Sequence, residues 1–157
     1  MCYSDILIFL GMIMSTERQF YVPPEGPPQG ITPSPQIYAK MGEDAIYQML
    51  EDFYAELEKS SIRHLFPEDM KKASQKSAAF FVFILGGPPL YQQQFGPPRM
   101  RQRHMPFAID ETARQVWLQC FKKILQDADK KYNFPIEHMD GFLNFLDKFS
   151  AWMVNTK

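Results

Sequence analysis

The sequence predicts an all-α domain of four principal helices, and three observations carry that prediction. Apolar residues recur at three- and four-residue spacings in four separate segments. No apolar–polar alternation runs long enough for a useful strand. Proline, glycine and aspartate punctuate the segments where helices would start or stop. At 157 residues, 45% hydrophobic and 22% charged, the chain is an ordinary globular protein with room for one core and one pocket.

The amino-terminal stretch stands apart. MCYSDILIFLGMIM holds an apolar run too short to span a bilayer. Asp5 sits where a secretory leader would carry Lys or Arg, so no leader is expected. Met1 and Met14 both stand as translation starts. YVPPEGPPQGITPSPQ, residues 21–36, is rich in Pro and Gly and reads as an extended, mobile lead-in of polyproline character. Residues 1–37 therefore form an extension expected to be disordered, and 38–157 the domain.

The first helix is expected from about Tyr38. In EDAIYQMLEDFYAELE the positions Ala45, Ile46, Met49, Leu50, Phe53, Tyr54 and Leu57 share one face, while Asp52 and Glu56 face solvent. SSIRHLF breaks the period. Pro67 then pre-sets a helix start with Glu68 and Asp69 in its first turn, where carboxylates suit the helix dipole. That helix runs through KKASQKSAAFFVFIL and stops at Gly86-Gly87-Pro88-Pro89.

Residues 86–107 contain five prolines and three glycines, so any helix there is short. A long irregular connection inside a compact domain is commonly functional. Asp110 can cap the next helix, whose apolar face is Ile109, Ala113, Val116, Trp117, Cys120, Phe121, Ile124 and Leu125. The last helix follows Pro135 and carries Met139, Phe142, Leu143, Leu146, Phe149 and Met153.

Charge and motifs exclude several functions. With 17 basic and 18 acidic residues the net charge is -1, unlike a dedicated nucleic-acid binder, whose affinity rests on phosphate neutralisation. RMRQRHMPF, residues 99–107, is thus a local basic run in a neutral protein, and neither nucleic acid nor membrane is an expected partner. Cys2 and Cys120 form no disulfide framework or CxxC site, which fits a reducing, cytoplasmic setting. No Gly-rich phosphate loop, GxSxG elbow or HExxH occurs. Cys120 lies on an apolar helix face, where a cysteine packs as a small hydrophobe rather than serving as a nucleophile.

His64 and His138 sit among polar neighbours and read as surface residues. His104 lies in the irregular connection, followed by apolar Met105, Pro106 and Phe107. One histidine cannot build a zinc site. One is enough for haem, which needs a single proximal imidazole, an apolar aromatic slot and cations for two propionates. The chain offers 14 Phe, 7 Tyr and 2 Trp, although composition alone is equally a description of a well-filled helical core.

An ordered string of motifs goes further. Phe53-Tyr54, LFPEDM at 65–70, GGPPLY at 86–91, RMRQRHMPFAI at 99–109 and VWLQC at 116–120 together resemble the truncated (two-over-two) haemoglobins. GGPPLY with R-x-R-H-x-P-F-x-I, then a tryptophan thirteen residues past the histidine, is similar to the group II subfamily. The resemblance spans residues 38–155.

The resemblance implies a 2-on-2 globin fold with one pocket for haem b (iron protoporphyrin IX). It implies that His104 is the proximal iron ligand and that Phe66 packs on the porphyrin. Arg99, Arg101 and Arg103 become candidates for the propionates, with Met105 and Phe107 near the haem edge. Side chains two apart do not share a helix face, so one or two of these arginines should point to solvent. Tyr54 and Trp117 would donate hydrogen bonds in the distal pocket, with core packing as the plainer role for both. Ala73 and Ser77 would face the distal side, and Phe80 and Phe81 would wall it.

This chain departs from the family pattern in places. Gly96-Pro97-Pro98 stands where Gly-His-Pro is usual, Met41-Gly42 where Gly-Gly is common, and Phe66 where tyrosine or histidine is frequent. Ser77 is more polar than expected at its position. The implied function is reversible binding of dioxygen or another diatomic gas at a five-coordinate iron. The alternative is redox catalysis on the same haem, nitric oxide dioxygenation or peroxidase-like turnover, with an external reductase as electron donor. A cofactor-free helical interaction module using the proline-rich arm is the third reading.

Overall fold

A computed structural model describes residues 18–157, and every regular element among them is helical. The readings made on the apolar run, on Met1 and Met14 and on Cys2 lie outside the described residues. The helices are α1 (Gln36–Glu58), α2 (Met70–Ile84), α3 (Leu90–Phe95), α4 (Met100–His104), α5 (Glu111–Ile124), α6 (Ala128–Tyr132) and α7 (Met139–Met153). Single 3-10 turns at Arg63–Leu65 and Ile136–His138 precede α2 and α7. The four principal helices of the sequence reading are α1, α2, α5 and α7. Of the short ones, α3 and α4 fall in the connection where only short helices were expected, and α6 was not foreseen, because five residues cannot display a helical period.

Two packed pairs make the two-over-two arrangement: α1 lies on α2, and α5 lies on α7, with α1 also meeting α5. The core between them is aromatic. Phe53 of α1 meets Phe121 of α5 at 4.2 Å between centroids, and Phe121 reaches Phe81 of α2 at 5.6 Å and Phe142 of α7 at 5.7 Å. All four are 2% exposed or less. Each such ring contributes about 1.5–3 kcal/mol on burial, so this one cluster joins both helix pairs.

Gly42 breaks α1 locally with φ 76° and ψ 171°, a left-handed conformation that favours glycine. The start of α1 is pinned to the end of α2, where the Tyr38 amide donates to the Leu85 carbonyl at 3.0 Å. Gly86 and Gly87 make that approach feasible. A Cβ on Gly86 would fall 2.5 Å from the Pro35 Cα, and one on Gly87 2.6 Å from the Tyr38 ring.

Two local expectations are corrected. Pro67 does not begin α2; Asp69 caps it by accepting from the Lys72 amide at 3.0 Å. Arg63 explains the difference, because its guanidinium occupies the carbonyls of Phe66, Pro67 and Glu68 at 3.2, 3.0 and 3.1 Å and holds them out of the helix. Asp52 is not merely solvated: it accepts from Gln48 at 2.9 Å and from the Tyr132 hydroxyl at 2.5 Å, joining α1 to α6. The cap at Asp110 is as expected, with the Ala113 amide donating at 2.7 Å.

The lead-in from Arg18 lies against the domain rather than carrying helix of its own. Pro23 and Pro33 are buried, and Tyr21 donates its amide to the carbonyl of Asn155 at 2.9 Å. Ser34 Oγ stands 3.5 Å from His138 Nε2, so His138 is a contact of the lead-in, while His64 is exposed. No described helix is long and apolar enough to cross a membrane.

Candidate functional site

The irregular connection folds into α3 and α4, and these present a cavity wall. Gly96 ends α3 at φ 78°, and Arg99 enters α4 in the left-handed region at φ 38°. Arg103 fastens the turn between them. Its Nε donates to the Pro98 carbonyl at 2.8 Å, and its Nη2 to those of Phe95 and Pro97 at 2.8 and 3.0 Å. The guanidinium also lies 5.3 Å from the centre of the Tyr91 ring.

His104 ends α4 and lines a cavity of about 330 Å³ bounded by α1, α2, α3, α4, α5 and α7. Its Nδ1 lies 2.6 Å from the Met100 carbonyl oxygen, one turn earlier. A carbonyl only accepts, so Nδ1 carries the proton and Nε2 keeps its lone pair. Burial lowers the imidazole pKa and so favours the neutral ring, with the Met100 bond acting in the opposite direction.

Across the cavity stand donors on other helices. Tyr54 comes from α1, Ser77 from α2 and Trp117 from α5, and all three line the space. Burial pushes the Tyr54 hydroxyl pKa up, opposed by the neighbouring Ser77, so the phenol remains a protonated donor at neutral pH. Tyr54 meets Phe66 edge to face at 5.7 Å, and both reach the cavity. Ala73, Phe80, Phe81 and Phe107 complete the predicted lining, with Phe107 still 41% exposed at the mouth.

Of the twelve residues singled out for the pocket, two lie off its wall, Arg99 and Arg101. Arg99 is exposed. Arg101 turns away to the chain ends, where it donates to the carbonyls of Tyr21 and Val154 at 2.7 and 2.9 Å. Met105 is also off the wall. The alternating arginines therefore diverge around α4, and Arg103 alone of the three faces the cavity.

Two cations on the wall were missed in sequence. Lys76 shares a face with Ala73, Ser77 and Phe80, a spacing that was visible. Arg114 stands one turn before Trp117 and is fully engaged: with Ser150 at 3.0 Å, Glu111 at 2.6 Å and Asp147 at 2.5 Å. Arg114 also lines a second, more polar cavity of about 690 Å³ between the lead-in and α5 and α7.

The arrangement has a definite chemistry. Among the described residues no group of three or more His, Cys, Asp or Glu could hold a bare metal ion. A metal here would have to arrive in its own chelate and take one ligand from the protein. The walls are aromatic, the one imidazole has its second nitrogen fixed, and Lys76 and Arg103 offer positive charge for anionic tails. These residues fit a haem.

Comparison with known proteins agrees with this chemistry. A model of the bacterial-like globin family matches residues 36–155. The chain is similar to group 2 truncated hemoglobin YjbI of Bacillus subtilis, at 35% identity over 54% of this chain and 65% of that protein. It is similar to two-on-two hemoglobin-3 of Arabidopsis thaliana, at 31% identity over 59% of this chain and 55% of that one. It thus spans less than two thirds of the length of either curated relative. Among solved structures, phosphate-bound Hell's gate globin IV superposes with a TM-score of 0.74 at 37% identity, covering 82% of this chain and 79% of the other. The group II truncated haemoglobin of Bacillus anthracis gives 0.70 at 29% identity, covering 82% and 95%.

Proposed function

We propose that this chain, which belongs to the bacterial-like globin family and resembles its group II truncated members throughout the fold, binds a diatomic gas at a haem held by His104. The family implies the haem cofactor. The observation that carries the reading is the fixed imidazole of His104 on a cavity faced by Tyr54 and Trp117. When bound, haem supplies an iron with one position for an imidazole and one for a small ligand.

The rest is done by side chains of this protein. The Met100 carbonyl fixes the His104 tautomer, so Nε2 is the atom offered to the metal. Phe66, Phe80, Phe81 and Phe107 exclude water, which strengthens any hydrogen bond made inside. Tyr54 and Trp117 supply O–H and N–H donors to a ligand that gathers negative charge. Arg103 and Lys76 are the cations for the propionates. Dioxygen is the gas favoured by two such donors.

Reconstitution tests the reading directly. Purified protein mixed with haem should develop a Soret band, and the reduced form should shift it on adding dioxygen or carbon monoxide. His104→Gly should release haem unless imidazole is supplied to replace the missing ring. Unaltered ferrous spectra in that variant would overturn the assignment. Measuring nitric oxide loss with and without a reductant in the same samples separates turnover from reversible binding.

A further inference from the structure

We propose that Asn155 and Arg101 are positioning residues for His104, and that docking of the lead-in through Tyr21 closes the latch they form. The proposal rests on the reading of His104 as the haem ligand. It starts from a problem of helix physics. α4 has five residues, too few to be stable alone, and the carbonyls at its end lack partners within the helix. The residue that must hold a metal therefore sits on an element that cannot hold itself.

The missing donors come from the two ends of the described chain. Asn155 lies just past α7 and is 0% exposed. Its Nδ2 donates to the carbonyls of His104 at 3.2 Å and Phe107 at 2.9 Å, while its Oδ1 accepts from the Ile109 amide at 3.0 Å. Only one orientation of the amide satisfies all three. Its backbone N–H donates to the Ile109 carbonyl at 2.9 Å, and its own carbonyl accepts the Tyr21 amide at 2.9 Å. Every donor of this buried residue is thereby used and each of its two oxygens accepts one bond, and most of these bonds are spent on residues 104–109.

Arg101 closes the same arrangement from inside α4. It donates to the carbonyls of Trp152, Val154 and Tyr21, and its guanidinium lies 4.5 Å from the Trp152 ring centre. Arg18 adds a bond to the Met105 carbonyl. One side chain thus ties α4 to both the lead-in and the segment after α7. With the latch closed, the backbone on either side of the imidazole is fixed; with it open, α4 and the turn after it are free to move, and the ligand moves with them.

The test uses the full chain with Asn155→Leu, Asn155→Asp, Arg101→Met and Tyr21→Pro, with exposed Arg99→Ala as control. Three quantities are read: amide hydrogen exchange at residues 105–109 with and without haem, haem transfer to an excess of acceptor apoprotein, and the iron–imidazole stretching frequency of the reduced protein. Asn155→Leu should speed Ile109 exchange and haem loss by roughly tenfold and lower the stretching frequency. Asn155→Asp keeps the acceptor for the Ile109 amide, so exchange there should change less while haem loss still rises. Tyr21→Pro, which removes the lead-in donor together with the ring that Lys157 faces at 5.5 Å, should raise haem loss by roughly two- to tenfold. Arg99→Ala should match the parent in all three.

Haem loss and stretching frequency unchanged in both Asn155 variants would overturn the proposal, as would an equal effect of Arg99→Ala. Should Asn155→Leu fail to fold, Asn155→Asp and Tyr21→Pro carry the same comparison. A parent protein that takes up no haem would sink the functional reading instead, and the exchange measurement without haem would still judge the latch.

Discussion

Tyr54 and Trp117 reach one cavity from different helices, and both rest edge-on against Phe53, at centroid distances of 5.6 and 5.4 Å. Phe53 is 1% exposed, so the ring that orients both donors is itself locked in the core. The two donors are thus held by packing rather than by hydrogen bonds to each other.

Tyr54→Phe should consequently leave the fold intact and speed dioxygen release. A single neutral hydrogen bond is worth about 0.5–1.5 kcal/mol, which is roughly two- to tenfold in rate. Stopped-flow displacement of dioxygen measures it. An unaltered off-rate would make Trp117 the principal donor, and Trp117→Phe would then show the larger change.

Gly86→Ala tests the junction between α1 and α2. The new methyl group would meet the Pro35 backbone at 2.5 Å, at a φ of +107°. Left-handed strain costs roughly 1–2 kcal/mol, and overpacking typically about 1–3 kcal/mol. A loss above about 2 kcal/mol in urea unfolding is therefore expected. Gly26→Ala is the comparison, because a Cβ there meets nothing within 4 Å at a φ of +71°. Equal losses in the two variants would show that strain alone matters.

Glu56 predicts a pH dependence. Hydrogen bonds from Lys123 and then Lys59 hold its carboxyl below the usual range, at 2.8 and 3.2 Å. The unfolded chain therefore takes up a proton first as pH falls through about 4.3. The stabilisation is fully present above that value and is lost as pH falls through the lower, folded value. The lysines are well exposed, so Glu56→Gln should cost no more than about 1 kcal/mol at neutral pH. The difference from the parent should shrink in acid and in high salt, which chemical denaturation at several pH values would record.

The large elements were legible because their apolar periods are long. Ile46, Met49, Leu50, Phe53 and Leu57 repeat over three turns, and the structure buries all of them. α6 was not legible, since Ala128–Tyr132 completes barely more than one turn. His104, Tyr54 and Trp117, each named by a family motif, all line the one cavity. Arg101, read as a propionate candidate, has other partners, and Asn155 was not singled out at all, both for a different reason. Their partners are backbone carbonyls and amides roughly fifty to eighty positions away, and a carbonyl carries no residue type for a motif to record. Lys76 could have been found from its spacing to Ala73, Ser77 and Phe80, whereas only the third dimension puts Arg114 at the cavity.

Arg114 has a further consequence for anyone redesigning this protein. Its guanidinium is the partition shared by the two cavities, and it is braced by Glu111, Asp147 and Ser150. Trimming it to make room for a bulkier guest would merge an aromatic chamber with a more polar one. Water would then enter where dryness gives the donors their strength. The size of the inner chamber is therefore better altered at Phe149 or Phe66, where a smaller side chain enlarges the space without breaching the dividing wall.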